Sequence, residues 1–343
     1  MQKYIHIGFP KNLSTTLQRD FFPKHPEIMH LGVGVGSNID YISDEINAAC
    51  ESFLLTSRNR IYKRNESKII QNFEKHFQIA KDKGFRQTGI SAELFSFGFS
   101  PDHIDSEIKA ERLKRIFKSD TKIILIIRNQ IDLLKSLYKE SIKIGYNKTY
   151  REYIEFCYYF HDRNFISDFF YDETITLYQG LFGKENVSII PIENYRDLST
   201  GNLISEKNST KLVSKLCDNL GISQLNLELN HYNKPLSLEQ LEEMRLNNNE
   251  FRNNFSKEIY GTVNGHRLAN YFNNHLQLPL PEFLAQDVLI KNENITRSQK
   301  GSKKIDFYKD ELIYSKLIDL FKKSNEKLNS IIDLPHQYEL NTK

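Results

Sequence analysis

The sequence predicts an α/β fold with a central, mostly parallel sheet flanked by helices. Three observations predict it. Strand-like and helix-like stretches alternate along the chain. The run Ile123-Ile124-Leu125-Ile126-Ile127 is aliphatic at every position, as in a strand covered on both faces. A short apolar run at residues 3–7 leads directly into a polar turn and then a helical pattern.

The strands are read at 3–7, 88–92, 122–127 and 187–192, with Pro191 marking the end of the last. Helices are read between them. Residues 106–118 place Ile108, Leu113, Ile116 and Phe117 near one face, and residues 131–144 do so with Leu134, Leu137, Tyr138 and Ile142. Residues 211–220 carry Leu212, Leu216 and Leu220, with Gly221 as C-cap. An amphipathic helix spans 311–332. The expected organisation is a single domain over 1–343, with a polar helical and loop segment at 230–310 covering a substrate cleft. No internal repeat is present.

Composition sets further bounds. The chain has 343 residues, enough for one sizeable core. Its 47 basic and 44 acidic residues leave a net charge of +3, which argues against a dedicated nucleic-acid binder. Cys50, Cys157 and Cys217 stand apart, without the spacing of a zinc site or a disulfide framework, so buried reduced thiols are expected. No stretch reaches the roughly 18 apolar residues of a spanning helix. The N-terminal apolar run is too short for a signal peptide. A cytoplasmic location is the expectation; oligomeric state is not readable.

The chemistry concentrates in two segments. Gly8-Phe9-Pro10-Lys11-Asn12-Leu13-Ser14-Thr15-Thr16-Leu17 follows a strand and opens a helix. Backbone N–H groups at such a turn favour an anion, Lys11 adds a positive charge, and Ser14, Thr15 and Thr16 add hydroxyl donors. The order is not that of a Walker A loop, which needs Gly-Lys-Ser/Thr. The second segment is Arg128, ending the strongest strand, where a magnesium-using NTPase often carries an Asp. An Arg there suits a second phosphate. A magnesium-dependent kinase and a non-catalytic binding or scaffold protein with a decayed site are the rival readings.

These two segments resemble the 3′-phosphoadenosine 5′-phosphosulfate (PAPS) sulfotransferase family, bacterial type, with its P-loop-like three-layer fold. The family's loop Pro-Lys-Ser/Thr-Gly-Thr-Thr-x-Leu is matched by Pro10-Lys11-Asn12-Leu13-Ser14-Thr15-Thr16-Leu17. Its strand-ending Arg, with Ser eight residues on and Tyr two beyond, is matched by Arg128, Ser136 and Tyr138. Glu193-Asn194-Tyr195 after a strand, and Ser324-Asn325-Glu326-Lys327-Leu328, resemble the family more weakly.

The resemblance implies sulfuryl transfer from PAPS, leaving the product nucleotide PAP, to a hydroxyl of a glycan or small metabolite, with no metal. It implies that Lys11, Asn12, Leu13, Ser14, Thr15 and Thr16 hold the 5′ side, and that Arg128, Ser136 and Arg297 hold the 3′-phosphate, with Lys300 and Gly301 beside Arg297. Lys11 would also steady the leaving group. The general base would be Glu93, after strand 88–92, or His103. Leu13 stands where the family usually has Gly, so an ordinary backbone conformation with its side chain turned away is expected there. His6 reads as a core histidine. Most of the aromatic stretch Tyr158, Tyr159, Phe160, Phe169, Phe170 and Tyr171 reads as core packing.

Overall fold

The computed structural model describes every residue except 35–39, 99–103, 144, 163–164, 196–205, 228, 231–235, 251–304, 306, 308–310 and 341–343. His103, Arg297, Lys300, Gly301 and most of the expected cover at 230–310 therefore lie outside the described residues.

Six strands form one sheet: β1 (Gln2–His6), β2 (Ile28–Val33), β3 (Asp40–Tyr41), β4 (Gln87–Ser91), β5 (Lys122–Ile127) and β6 (Val187–Pro191). Their order is β3-β2-β4-β1-β5-β6. All neighbours are parallel except β2 and β3, which run antiparallel. The α/β class and the mostly parallel sheet are as expected. The chain first builds the β2 side and then crosses β1 to build the β5–β6 side. The switch lies between β1 and β5, and open α/β sheets bind ligands outside the strand C-termini at such a point.

Side-chain alternation explains the aliphatic run in β5. Ile123, Leu125 and Ile127 enter a core on one face, and Ile124 and Ile126 enter a second core on the other. β1 and the residue after it divide in the same way, with Ile5 and Ile7 in the first core and Tyr4 in the second. After the short helices α1 (Ser14–Thr16) and α2 (Asp44–Ala48), the first core is covered by α3 (Asn59–Asp82), α4 (Ser106–Phe117), α5 (Gln130–Lys143), α6 (Tyr150–Tyr159), α7 (Tyr171–Phe182) and the helix Glu311–Asn329. The second is covered by the segment Leu17–Phe21 and by α8 (Glu206–Leu220), through Leu212, Val213, Leu216 and Leu220.

Gly221 ends α8 with φ 63, as its C-cap position requires. All three cysteines are buried and free. In the aromatic stretch Phe169 and Tyr171 are fully buried, whereas Tyr159 and Phe160 at the end of α6 are exposed. Within 230–310, the helix Leu238–Glu250 docks onto the end of α5: Asn248 Nδ2 donates to the carbonyls of Ile142 and Tyr146. No described helix is long and apolar enough to cross a membrane.

Leu125 is fully buried in the centre of the sheet. Leu125→Ala is expected to lower unfolding free energy by about 2–5 kcal/mol, by lost burial and a residual cavity. Urea denaturation followed by circular dichroism checks this.

Candidate functional site

Because β1 lies between β4 and β5, the turns leaving these three strands meet at one edge of the sheet. The β1 turn carries the Lys11 loop, the β4 turn carries Glu93, and the β5 turn carries Arg128.

The loop after β1 is built on unusual backbone. Lys11 has φ 63 and Leu13 has φ 66, both in the left-handed region. For Leu13 this overturns the ordinary conformation expected from sequence. The geometry that glycine supplies freely is here imposed on leucine, at roughly 1–2 kcal/mol. The Leu13 side chain offsets part of that cost by packing against the second core. Left-handed positions of this kind help turn successive N–H groups toward an anion.

Each loop residue has a distinct task. Asn12 is fully buried, and its Nδ2 donates to the Ile126 carbonyl at 3.0 Å, fastening the loop to β5. Ser14 is buried, its hydroxyl 3.5 Å from the Phe9 carbonyl, and it favours the ionised form of the Glu93 carboxyl. The Thr16 hydroxyl donates to the Asn230 carbonyl at 3.0 Å, so it ties down the 229–230 segment. Thr15 is half-buried. Gly8 admits no side chain: a Cβ there would lie 2.5 Å from His6 Nε2. His6 is fully buried, bonded through Nδ1 to Ser91 Oγ at 2.7 Å, and burial pushes its pKa down to about 3. It is the neutral core histidine that its strand position indicates.

Lys11 Nζ lies 3.1 Å from Glu140 Oε2, and Lys143 Nζ lies 3.1 Å from the same oxygen. Arg128 Nη1 donates to the Lys11 carbonyl at 3.3 Å, joining the turn after β5 directly to the loop after β1. Ser136 is half-buried two turns into α5, on the face that also carries Asp132, Lys139, Glu140 and Lys143. Burial and the neighbouring charges of Arg128 and Lys135 hold the Lys139 ammonium below the usual lysine range. Arg128, Ser136 and Lys139 thus border one cation-rich surface.

Glu93 opens a short turn, Glu93–Phe95, immediately after β4. It is 8% exposed, and burial raises its pKa to about 7, against the opposing effects of Ser14 and Lys11. The Glu140 charge pushes in the same direction as burial. The turn is held from behind: Lys109 Nζ donates to the Leu94 carbonyl at 2.7 Å and to the Phe97 carbonyl at 3.2 Å. A buried carboxyl beside a lysine and titrating near neutrality has the properties of a general base.

A second tier fixes the β5 exit. Asn129 caps α5, its Oδ1 accepting from the Ile131 and Asp132 N–H groups at 3.1 Å each. The Asn129 N–H donates to Glu193 Oε1 at 2.9 Å, and Glu193 Oε2 accepts from the Tyr338 hydroxyl at 2.9 Å. Asn129 Nδ2 donates to the Gln337 carbonyl, and Gln130 pairs with Asn325. The Arg128 carbonyl accepts from the Tyr171 hydroxyl at 2.7 Å. Glu193 and Asn325, read from sequence only as part of a weaker resemblance, are anchors of the Arg128 turn.

Sequence reasoning missed Glu140, Lys139 and Lys143. Helical spacing from Ser136 would have found them, since positions three, four and seven residues on share its face. Among the described residues no group of His, Cys, Asp and Glu is arranged to hold a metal ion.

No family model matches the chain, and no curated protein matches it. Among solved structures the chain is similar to a sulfotransferase from Alicyclobacillus acidocaldarius, at 16% identity and a TM-score of 0.44, covering 71% of this chain and 89% of that one.

The strain at Leu13 predicts an order of stabilities. Leu13→Gly relieves the left-handed backbone while losing the side chain's packing, so it is expected within about 1 kcal/mol of the parent. Leu13→Ala loses the packing and keeps the strain, so it is expected to be the less stable of the two. Paired urea titrations check the order.

Proposed function

We propose that this chain is a PAPS-dependent sulfotransferase that transfers a sulfuryl group to a hydroxyl of a carbohydrate or small metabolite. The observation that carries this reading is the convergence of Lys11, Arg128 and Glu93 on adjacent strand ends, with Arg128 bonded to the backbone of Lys11. A strained loop, two separated cationic centres and one buried carboxyl match a donor that carries phosphate at both ends of its nucleoside.

The residues fit that donor. Lys11 and the loop N–H groups would hold the 5′-phosphosulfate, with the Ser14 and Thr15 hydroxyls beside them. Arg128 and Ser136 would hold the 3′-phosphate, and Arg297 is carried over from the resemblance as a further ligand. In the reaction a new S–O bond forms to the acceptor oxygen. The S–O bond to the 5′-phosphate breaks, and the departing nucleotide keeps its electron pair. Glu93 in its ionised form takes the acceptor's proton. Lys11 offsets the charge that develops on the leaving phosphate. Positioning and electrostatics supply the rate, with no covalent enzyme intermediate.

Lys11→Ala and Arg128→Ala are each expected to weaken PAP binding by at least tenfold, measured by calorimetry. Unchanged affinity in both variants would sink the reading. A thermal-shift comparison separates it from its rivals. PAP alone should stabilise the protein. Stabilisation by Mg·ATP instead indicates a kinase, and no shift from either indicates a scaffold.

The pH profile follows from Glu93. Its pKa is raised to about 7, so the ionised base is lost as pH falls through that value. Turnover is expected to decline below about pH 7 and to level above it. Glu93→Gln should cost roughly a hundredfold or more and abolish that limb. A retained rate would remove Glu93 from the base role and leave His103 as the candidate.

A further inference from the structure

Lys11 already has an anion. The Glu140 carboxylate projects from α5 and meets Lys11 Nζ at 3.1 Å. The two side chains come from elements 129 residues apart, so the contact depends on the tertiary fold rather than on local helix geometry. Both are partly exposed, at 25% for Lys11 and 40% for Glu140, so water and ions can reach the pair. Lys143 Nζ lies on the same Glu140 oxygen at the same distance. Glu140 can therefore release Lys11 and keep a cationic partner.

We propose that Glu140 is an internal counter-ion that occupies Lys11 until an incoming anion takes its place. This deepens the nucleotide-binding reading and rests on it for the identity of that anion. The exchange is inexpensive because neither carboxylate nor ammonium is left alone: Lys11 passes from Glu140 to the ligand, while Glu140 stays with Lys143. An exposed pair of this kind is weak, and the displacement cost should be correspondingly small. The exchange also acts on Glu93. Glu140 and Lys11 work on the Glu93 carboxyl in opposite senses, so re-pairing Lys11 changes the field at the base when the donor arrives.

A positioning role for Glu140 predicts the opposite sign, which makes the proposal testable. Glu140→Gln keeps the shape of a half-exposed side chain and removes its charge. Calorimetry at about 0.15 M salt, where exposed charges beyond roughly 8 Å are screened, would compare wild type and Glu140→Gln with PAP and with inorganic pyrophosphate. The expected result is roughly three- to tenfold tighter binding of both anions to the variant, with the gain absent in a Lys11→Met background. If Glu140→Gln binds neither anion more tightly, or if the gain survives Lys11→Met, the exchange is overturned. If pyrophosphate shows the gain while PAP binds neither protein, the exchange stands and the nucleotide reading falls.

Discussion

The parallel pairing of β1 with both β4 and β5 is the constraint on which the site depends. Register fixes His6 opposite Ser91 on one side and opposite Ile124 on the other. β1 and β4 therefore end level, while β5 runs on three residues to Ile127, and the loop after β1 lies against that extension. Cross-links then hold the exits in place: Asn12 to the Ile126 carbonyl and Arg128 to the Lys11 carbonyl. In this arrangement a cation, a strained loop and a buried carboxyl become neighbours although they are far apart in sequence. Positioning by a rigid sheet is also what the proposed transfer without a covalent intermediate requires.

Electrostatics at this edge is a balance among four charged side chains. Lys11 favours ionised Glu93, whereas burial and Glu140 oppose it. Glu140 itself is held below the usual carboxylate range by Lys11 and Lys143, which outweigh its own partial burial. Burial, only partly offset by Ser14 and Lys11, thus leaves the Glu93 carboxyl poised near neutrality. Arg128, just before α5, and Lys135 and Lys139 on it press on one another, offset in part by Asp132, and Lys139 rests over the Phe307 ring. Crowded cations of this kind are what a phosphate relieves on binding.

Much of the fold was legible in the sequence where the pattern was unambiguous. The all-aliphatic β5, the strand–turn–helix at residues 3–22 and the period of α4, α5 and the 311–329 helix all lie in the structure near their expected bounds. β2 was not legible. Its run Ile28-Met29-His30-Leu31-Gly32-Val33 mixes a histidine and a glycine at φ 128 into a strand whose pairing shifts register between His30 and Gly32. α3 was missed because its exposed face is so heavily charged that its buried set, Tyr62, Ile69, Phe73 and Phe77, is thin. Lys11, Arg128 and Glu93 could be singled out because motif spacing and strand ends mark them, and the fold brings them to adjacent strand exits. Leu13's conformation was misjudged because a residue's identity shows what is comfortable, while the chain's path from β1 into the helix decides what is adopted. Helical spacing could place Glu140 on the face of Ser136, but its pairing with Lys11 and the Glu193–Tyr338 anchor depend on long-range contacts that no local pattern records.

The Asn129–Glu193–Tyr338 chain has a consequence for the order in which the protein is made. Asn129 leaves the ribosome long before its partners: Gln337 follows it by 208 residues, and Tyr338 follows Glu193 by 145. The sheet up to β5 can pair early, since its contacts are completed by residue 127. The turn that aims Arg128 cannot acquire its last hydrogen bonds until residues 337 and 338 have been synthesised and docked. Contacts of such long sequence separation form late. During synthesis the growing chain therefore holds a finished β1 loop beside an unfinished β5 turn, and the two come into their final relation as one of the last events of folding.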